Sequence, residues 1–293
     1  MKRFIVCFAV MFFLCIQTNL FPQDFVNALV IHADKGQDTI SRHIYSHFSE
    51  HLGHCIYEGL WVGEKSDIPN IRGIRKDVTT ALKEMGIPSL RWPGGCFADE
   101  YHWKNGIGPK ETRPAMINSN WGAVTEDNSF GTHEFLDLCE QIKCEPIITG
   151  NLGSGSVEEM SQWVEYINSD NISPITDLRK KNRREKAWHV KFWGLGNESW
   201  GCGGNMNPDY YFNLANRYST FCRDYGDNKL FRIASGASDV NFDWTETFMR
   251  MWAAKPEGTR NNVNGLSLHY YTVCHDWNQK GSATKFDKSE MAL

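Results

Sequence analysis

The sequence predicts an α/β fold, and within that class a (β/α)8 TIM barrel, on three observations. Short apolar runs alternate with stretches of helical spacing along most of the chain. Polar and aromatic residues gather just after those runs, at 93–97, 150–151, 197–198 and 269–271. No Gly-x-Gly-x-x-Gly opens a helix: Gly194-Leu-Gly196 comes nearest, and Ser199 holds the third glycine's place. Alternation of this kind implies parallel strands joined by helical crossovers. Open and closed versions of such a sheet both place active sites at strand C-terminal ends. Sites spread over many strands favour the barrel over a dinucleotide fold.

The elements follow in order. The first residues read as an export signal over 1–23. Lys2 and Arg3 precede an apolar run over 4–16, which Gln17, Thr18 and Asn19 end. That run is shorter than the about 20 residues a membrane span needs. The expectation is a secreted or periplasmic protein with no stable membrane span once the signal is removed. Strands are expected over 88–92, 145–149, 190–195, 230–234 and 265–271, and helices around 135–141 and over 157–167, 208–225 and 242–253. The helix over 208–225 is the best marked, with Asn207 as its cap, Pro208 at its first position and Gly226 at its stop. The basic run from Arg179 to Lys186 reads as a solvated surface loop.

The chain has 293 residues, 41% of them hydrophobic, and a net charge of −4 from 31 basic and 35 acidic residues. That balance gives no electrostatic reason for a nucleic-acid or anionic-membrane partner. Eleven Trp and ten Tyr suit a sugar partner, since flat faces with polar edges match sugar rings, although any single one is better read as core. Of nine cysteines, Cys7 and Cys15 lie in the signal. Seven remain, an odd number, so at least one is a free thiol or forms an intermolecular bond. They are expected to be mostly free and buried, with Cys139 and Cys144 packed at a helix-to-strand turn. His43, His47 and His51 would share a face on a helix, as zinc ligands do. Ile44, Tyr45 and Phe48 fit a strand and its exit loop better, so no metal site is assigned.

The segment that carries chemistry is Trp193-Gly-Leu-Gly-Asn-Glu198-Ser-Trp. A strand delivers Asn197 and Glu198 to its C-terminal end. A carboxyl among Trp193 and Trp200 is expected to have its pKa raised by desolvation, to stay protonated near neutral pH, and to donate to a leaving oxygen. The adjacent Asn197 can hold a sugar hydroxyl beside the bond being cut.

Together with this segment, several others make the chain resemble glycoside hydrolase family 51, the α-L-arabinofuranosidases. They are His47-Phe-Ser-Glu50-His-Leu-Gly, Cys55-Ile-Tyr-Glu-Gly-Leu-Trp-Val62, Leu90-Arg-Trp-Pro-Gly-Gly-Cys-Phe97 and Tyr101-His-Trp-Lys-Asn-Gly-Ile-Gly-Pro109. Phe130-Gly-Thr-His-Glu-Phe135, Gly194-Leu-Gly-Asn-Glu198 and Ser267-Leu-His-Tyr-Tyr271 complete the set. The resemblance implies retaining hydrolysis of terminal α-L-arabinofuranosyl residues from arabinan or arabinoxylan, with no metal or organic cofactor. It implies Glu198 as acid/base, Asn197 and Glu50 as sugar-binding residues, and Trp121 as an aromatic lining the subsite. Tyr271 matches a Tyr near the nucleophile, with Tyr270 in that place if the register moves by one. Cys96 takes a substrate-binding position at which many relatives carry Asn after Pro-Gly-Gly, and a thiol is only a weak hydrogen-bonding group. Family members often form oligomers, so the full-length enzyme is a candidate homo-oligomer.

The family's nucleophile is a Glu in an Asp-Glu-Trp segment on the seventh barrel strand, and no such segment occurs here. Glu246 falls in a helical stretch, and Glu290 lies three residues from the end. Residues 24–293 are therefore expected to form a partial catalytic barrel of about six of eight strands. The family's C-terminal β-sandwich is expected to be absent as well. Such a fragment would have open edges and little activity. Other readings are another glycosidase of the family, an endoglucanase or xylosidase, or a non-catalytic sugar-binding fragment.

Overall fold

The computed structural model describes residue 30, residues 32–238 and residues 241–271. The chain divides into two units, Met1–Ser41 and Arg42–Leu293. In the first, the 3-10 turn Ala33–Lys35 is closed by the Lys35 N–H, which donates to the His32 carbonyl at 3.0 Å. The signal reading of 1–23 lies outside the described residues. No helix among the described residues is long and apolar enough to cross a membrane.

The second unit opens with β1 (His47–Phe48), β2 (Asn70–Ile71), β3 (Ile74–Arg75), α1 (Lys76–Met85) and β4 (Ser89–Trp92). It continues with β5 (Met116–Asn118), β6 (Val124–Glu126), α2 (Thr132–Ile142), β7 (Glu145–Gly150), α3 (Val157–Asn168) and α4 (Pro174–Lys181). Then come β8 (Phe192–Leu195), α5 (Pro208–Phe221), β9 (Phe231–Ala234), α6 (Phe242–Ala254) and β10 (Gly265–Leu266). One six-stranded sheet has the order β1-β4-β7-β8-β9-β10, and each of its pairings is parallel. The order follows the chain with no reversal. A doubly wound sheet reverses at a switch point, so this one-way winding is that of a (β/α)8 barrel, with six of its strands described. The pairs β2–β3 and β5–β6 are antiparallel hairpins outside that sheet.

The helices begin where their sequences stop the preceding chain. Ser156 accepts from the Glu159 N–H at 3.1 Å, Asn207 from Tyr210 at 2.9 Å, and Asn241 from Trp244 at 3.3 Å. Each satisfies one otherwise orphaned helical donor. α5 starts at Pro208 as expected but ends at Phe221, short of Gly226. Arg232 on β9 explains the early stop: its guanidinium donates to the Cys222 carbonyl through Nε at 2.9 Å and Nη2 at 2.5 Å.

β8 is shorter than expected because the Asn168 side chain takes both backbone groups of Val190, at 2.7 and 3.1 Å. β10 stops at Leu266, where the chain passes over Gly236 so closely that a Cβ there would lie 1.7 Å from the Ser267 carbonyl oxygen. Beyond it the contact with β9's end continues irregularly, with the His269 N–H donating to Ala237 at 3.1 Å.

The basic run also needs correction. Arg179 is fully buried at the end of α4 and donates to the carbonyls of Tyr166, Ser169 and Glu185 and to Asp170. Those acceptors supply the partners a buried guanidinium requires.

The core lies between the sheet and α2 and α3. Trp92 stacks on Phe135 at 5.1 Å, and Trp163 meets Trp193 edge-on at 5.4 Å. The Trp163 indole N–H donates to Thr132 at 3.1 Å, so its one polar atom is satisfied. Trp61, Trp103 and Trp244 are buried as well, so most of the aromatic surplus is core.

Histidines 43, 47 and 51 do not share a helix: His43 is in a 3-10 turn, His47 is on β1, and His51 follows it. Both His51 ring nitrogens are engaged, Nδ1 with Glu126 at 3.2 Å and Nε2 with the Trp92 indole N–H at 3.1 Å. Cys139 is buried on α2 and Cys144 half-buried after it.

Candidate active site

Every polar group of the site sits at or just beyond a strand's C-terminal end. β8 leads out through Gly196, at φ +79°, into Asn197 and Glu198. Glu198 itself has φ +42°, in the left-handed region that a non-glycine residue rarely holds. Its carbonyl accepts from Gly201 at 2.7 Å and Gly203 at 3.1 Å, closing a tight turn. Gly203 is required there, because a Cβ would fall 1.8 Å from the Asn197 carbonyl oxygen. Tyr211 on α5 ties the turn's base to β9: its hydroxyl donates to the Leu195 carbonyl at 2.8 Å and accepts from the Ser235 N–H at 2.5 Å.

Four groups surround the Glu198 carboxylate. His269 Nδ1 stands 2.8 Å from Oε1, and the Tyr271 hydroxyl donates to the same oxygen at 3.1 Å. Oε2 faces Cys202 Sγ at 3.4 Å and Cys96 Sγ at 4.0 Å. Burial pushes the carboxyl's pKa up, but the His269 and Tyr271 hydrogen bonds and the nearby charges of His269 and Arg91 outweigh it, and the net direction is down. The expectation of a carboxyl kept protonated by desolvation is therefore corrected. Tryptophan burial was the visible signal, and the hydrogen bonds that reverse it come from residues 71 and 73 positions away.

A second cluster adjoins the first. Arg91 on β4 donates through Nη1 to Asn197 Oδ1 at 3.0 Å and through Nη2 to Glu50 Oε1, with its guanidinium 4.0 Å over the Phe48 ring. Glu50 has room because Gly95 has no side chain: a Cβ there would lie 2.5 Å from Glu50 Oε2. Asp99, buried, accepts from the N–H groups of Leu152, Gly153 and Asn197, each at 2.8 Å. It thereby joins the ends of β4, β7 and β8.

The structure thus brings Glu50, Cys96, Asn197, Glu198 and Tyr271 together. Tyr270 is about half exposed. Trp121 is on the turn between β5 and β6, where its backbone N–H donates to Asn118 Oδ1 at 3.1 Å. Cys96 is half of a disulfide with Cys202, which corrects the reading of Cys96 as a free thiol. Cys55, Cys139, Cys144 and Cys222 are free, as expected for most of the set. A cavity of about 1350 Å3 around Trp61, Lys110 and Glu134 touches none of these groups.

Residues 81–289 match the family model of the Alpha-L-arabinofuranosidase 1 domain. The chain belongs to this family of α-L-arabinofuranosidases, glycoside hydrolase family 51. An intracellular exo-alpha-L-arabinofuranosidase of Bacteroides ovatus is 59% identical over 89% of this chain and 50% of that protein. A probable alpha-L-arabinofuranosidase C of Aspergillus niger is 45% identical over 63% of this chain and 36% of that protein.

Among solved structures, the family 51 arabinofuranosidase of Xanthomonas axonopodis pv. citri superposes with a TM-score of 0.81 at 44% identity. The match covers 88% of this chain and 51% of that one. The chain spans about half the length, or less, of the relatives it matches. The described residues superpose on that family 51 arabinofuranosidase, so the fold is that of a TIM barrel of this family with six of its strands described.

The Bacteroides relative also overturns the expectation of a secreted or periplasmic protein: a relative this similar is intracellular. An apolar run after two basic residues fits an export signal by composition alone, and composition does not decide whether it is used.

Sequence reasoning left Arg91, Asp99, Cys202 and His269 out of the site. Arg91 and His269 were inside recognised segments. A lone Arg between Leu90 and Trp92 on a strand buried on both faces was the available signal.

Proposed function

We propose that this chain carries the proton-transfer side of a retaining α-L-arabinofuranosidase acting on terminal α-L-arabinofuranosyl residues of arabinan or arabinoxylan. The observation that carries the reading is Glu198 at a strand end, hydrogen-bonded on Oε1 to His269 and Tyr271, in a chain whose relatives are α-L-arabinofuranosidases. In its protonated form Glu198 gives its proton to the leaving oxygen and then, as a carboxylate, takes a proton from the attacking water. Asn197 and Glu50, both fixed by Arg91, bind sugar hydroxyls in this reading, Asn197 through its amide N–H as donor and Glu50 as acceptor. Tyr271 sits beside the carboxyl, and Trp121 is assigned the outer wall of the subsite. Residues 24–293 are assigned to the catalytic barrel. The nucleophile that retention also needs, about 5 Å from the acid/base, is assigned to none of the described residues.

The test is a panel of nitrophenyl glycosides given to the polypeptide that carries this sequence. Release from the α-L-arabinofuranoside is expected to exceed release from the β-xyloside and β-glucoside. Faster release from either of those would overturn the substrate assignment.

A second expectation concerns pH. The basic limb of kcat/KM follows loss of the proton from free Glu198. His269 helps hold that carboxyl low. His269→Ala removes the hydrogen bond and leaves burial less opposed, so the basic limb should move to higher pH. A limb that stays in place or moves to lower pH would show that His269 does not govern this proton.

A further inference from the structure

Cys96 and Cys202 come from different strand ends, 106 residues apart, and meet at the Glu198 carboxylate. Cys96, read from the sequence as a weak hydrogen-bonding thiol, therefore has its partner in Cys202. Two sulfurs and a carboxylate oxygen lie within 4.8 Å of one another. We propose that, once this disulfide is reduced, Cys96, Cys202 and Glu198 form a binding site for a thiophilic divalent cation such as Zn2+, which takes Glu198 out of reaction.

Tetrahedral zinc holds thiolates at about 2.3 Å and carboxylate oxygens at about 2.0–2.2 Å. Those bond lengths separate a bound sulfur from a bound oxygen by roughly 3.6 Å. Cys202 Sγ at 3.4 Å and Cys96 Sγ at 4.0 Å from Glu198 Oε2 bracket that separation. The two Cα atoms, 5.4 Å apart, keep both sulfurs within reach of one ion after the bond between them is cut. His269 on the other carboxylate oxygen is the kind of outer partner that orients a metal-bound carboxylate. A water completes four ligands. Two thiolates select zinc or other soft ions over magnesium or calcium.

The reduction is a two-electron exchange with a dithiol. A thiolate of the dithiol attacks one sulfur, the S–S bond breaks, each cysteine gains a proton, and the dithiol leaves as its own disulfide. Cys202 is exposed and Cys96 half-buried, so the first attack falls on Cys202. Zinc then displaces both thiol protons. Ion binding rests only on the three side chains, whereas inhibition rests on the acid/base reading of Glu198.

The experiment compares the oxidised chain with the chain reduced by a phosphine, each equilibrated with Zn2+ and freed of unbound metal. The reduced chain is expected to retain one zinc and the oxidised chain none. Cys202→Ser should weaken retention by at least the roughly 10–100-fold that loss of an outer partner costs. Cys139→Ser, at the other close cysteine pair, should leave it unchanged. In the reduced wild-type chain, zinc should protect Cys96 and Cys202 from alkylation, a readout that needs no variant to fold. No zinc on the reduced chain, equal zinc on both forms, or protection confined to Cys139 and Cys144 would overturn the site. Zinc bound at Cys96 and Cys202 with hydrolysis undiminished would confirm the site and count against the acid/base role of Glu198.

Discussion

Glu198→Gln is expected to lower kcat/KM on an arabino-oligosaccharide by roughly 10²–10⁴-fold, the usual worth of a positioned general acid. The loss should depend on the leaving group. A sugar alkoxide needs the proton as the bond breaks, whereas a nitrophenolate departs nearly as well without it, so the bond-breaking step on an aryl arabinofuranoside should suffer far less. Glu198→Ala should show the same pattern and also respond to azide. Removing the carboxylate opens space for a small anion, which attacks the glycosyl-enzyme without a general base. Turnover should recover and give an arabinosyl azide with the substrate's anomeric configuration. Sugar binding should survive, because Arg91 still fixes Asn197 and Glu50. The measurements are rates across a leaving-group series and the configuration of the azide product. Equal losses for all leaving groups, with no azide response, would remove Glu198 from this role.

Much of the fold was legible because its signals are local. Alternating elements identified the parallel sheet, and Asn207-Pro208 marked the start of α5 to the residue. The ends of elements were less legible, since contacts distant in sequence decide them: Arg232 ends α5, Asn168 shortens β8, and the approach to Gly236 bends the chain after β10. The same division runs through the site. Asn197 and Glu198 were visible as a polar pair at a strand end. Their environment was not, because His269, Cys202 and Asp99 reach it from elsewhere in the chain and no spacing announces them. For that reason the direction of the Glu198 pKa was misjudged from flanking tryptophans, and Cys96 was assigned without its partner. The basic run failed similarly: Arg179 sits among charged neighbours in sequence, yet α4 turns it onto buried carbonyls.

Asp99 gives the largest expected effect on stability, and its sign follows from linkage. The side chain is buried and accepts three backbone N–H groups. Burial pushes its pKa up to about 7 from 3.8, against the downward pull of those donors. A folded acid that keeps its proton to higher pH than the unfolded chain stabilises the fold fully below pH 3.8. That contribution declines as pH rises and is gone above about 7. The gap corresponds to on the order of 4 kcal/mol. Asn at this position does not ionise, so Asp99→Asn should remove the slope. It should also add a cost of about 1–3 kcal/mol at every pH, because an amide nitrogen then faces an N–H donor. Glu126 and Glu198, both held low, weaken the fold as pH falls instead, but they do so in both proteins and cancel in the difference. Chemical denaturation of the two proteins at intervals from pH 4 to 7 reads that difference directly. The stability gap should be widest at the acid end and narrow toward neutrality. Curves that run parallel would mean that Asp99 enters the fold already ionised, with its three N–H donors, not burial, setting its charge.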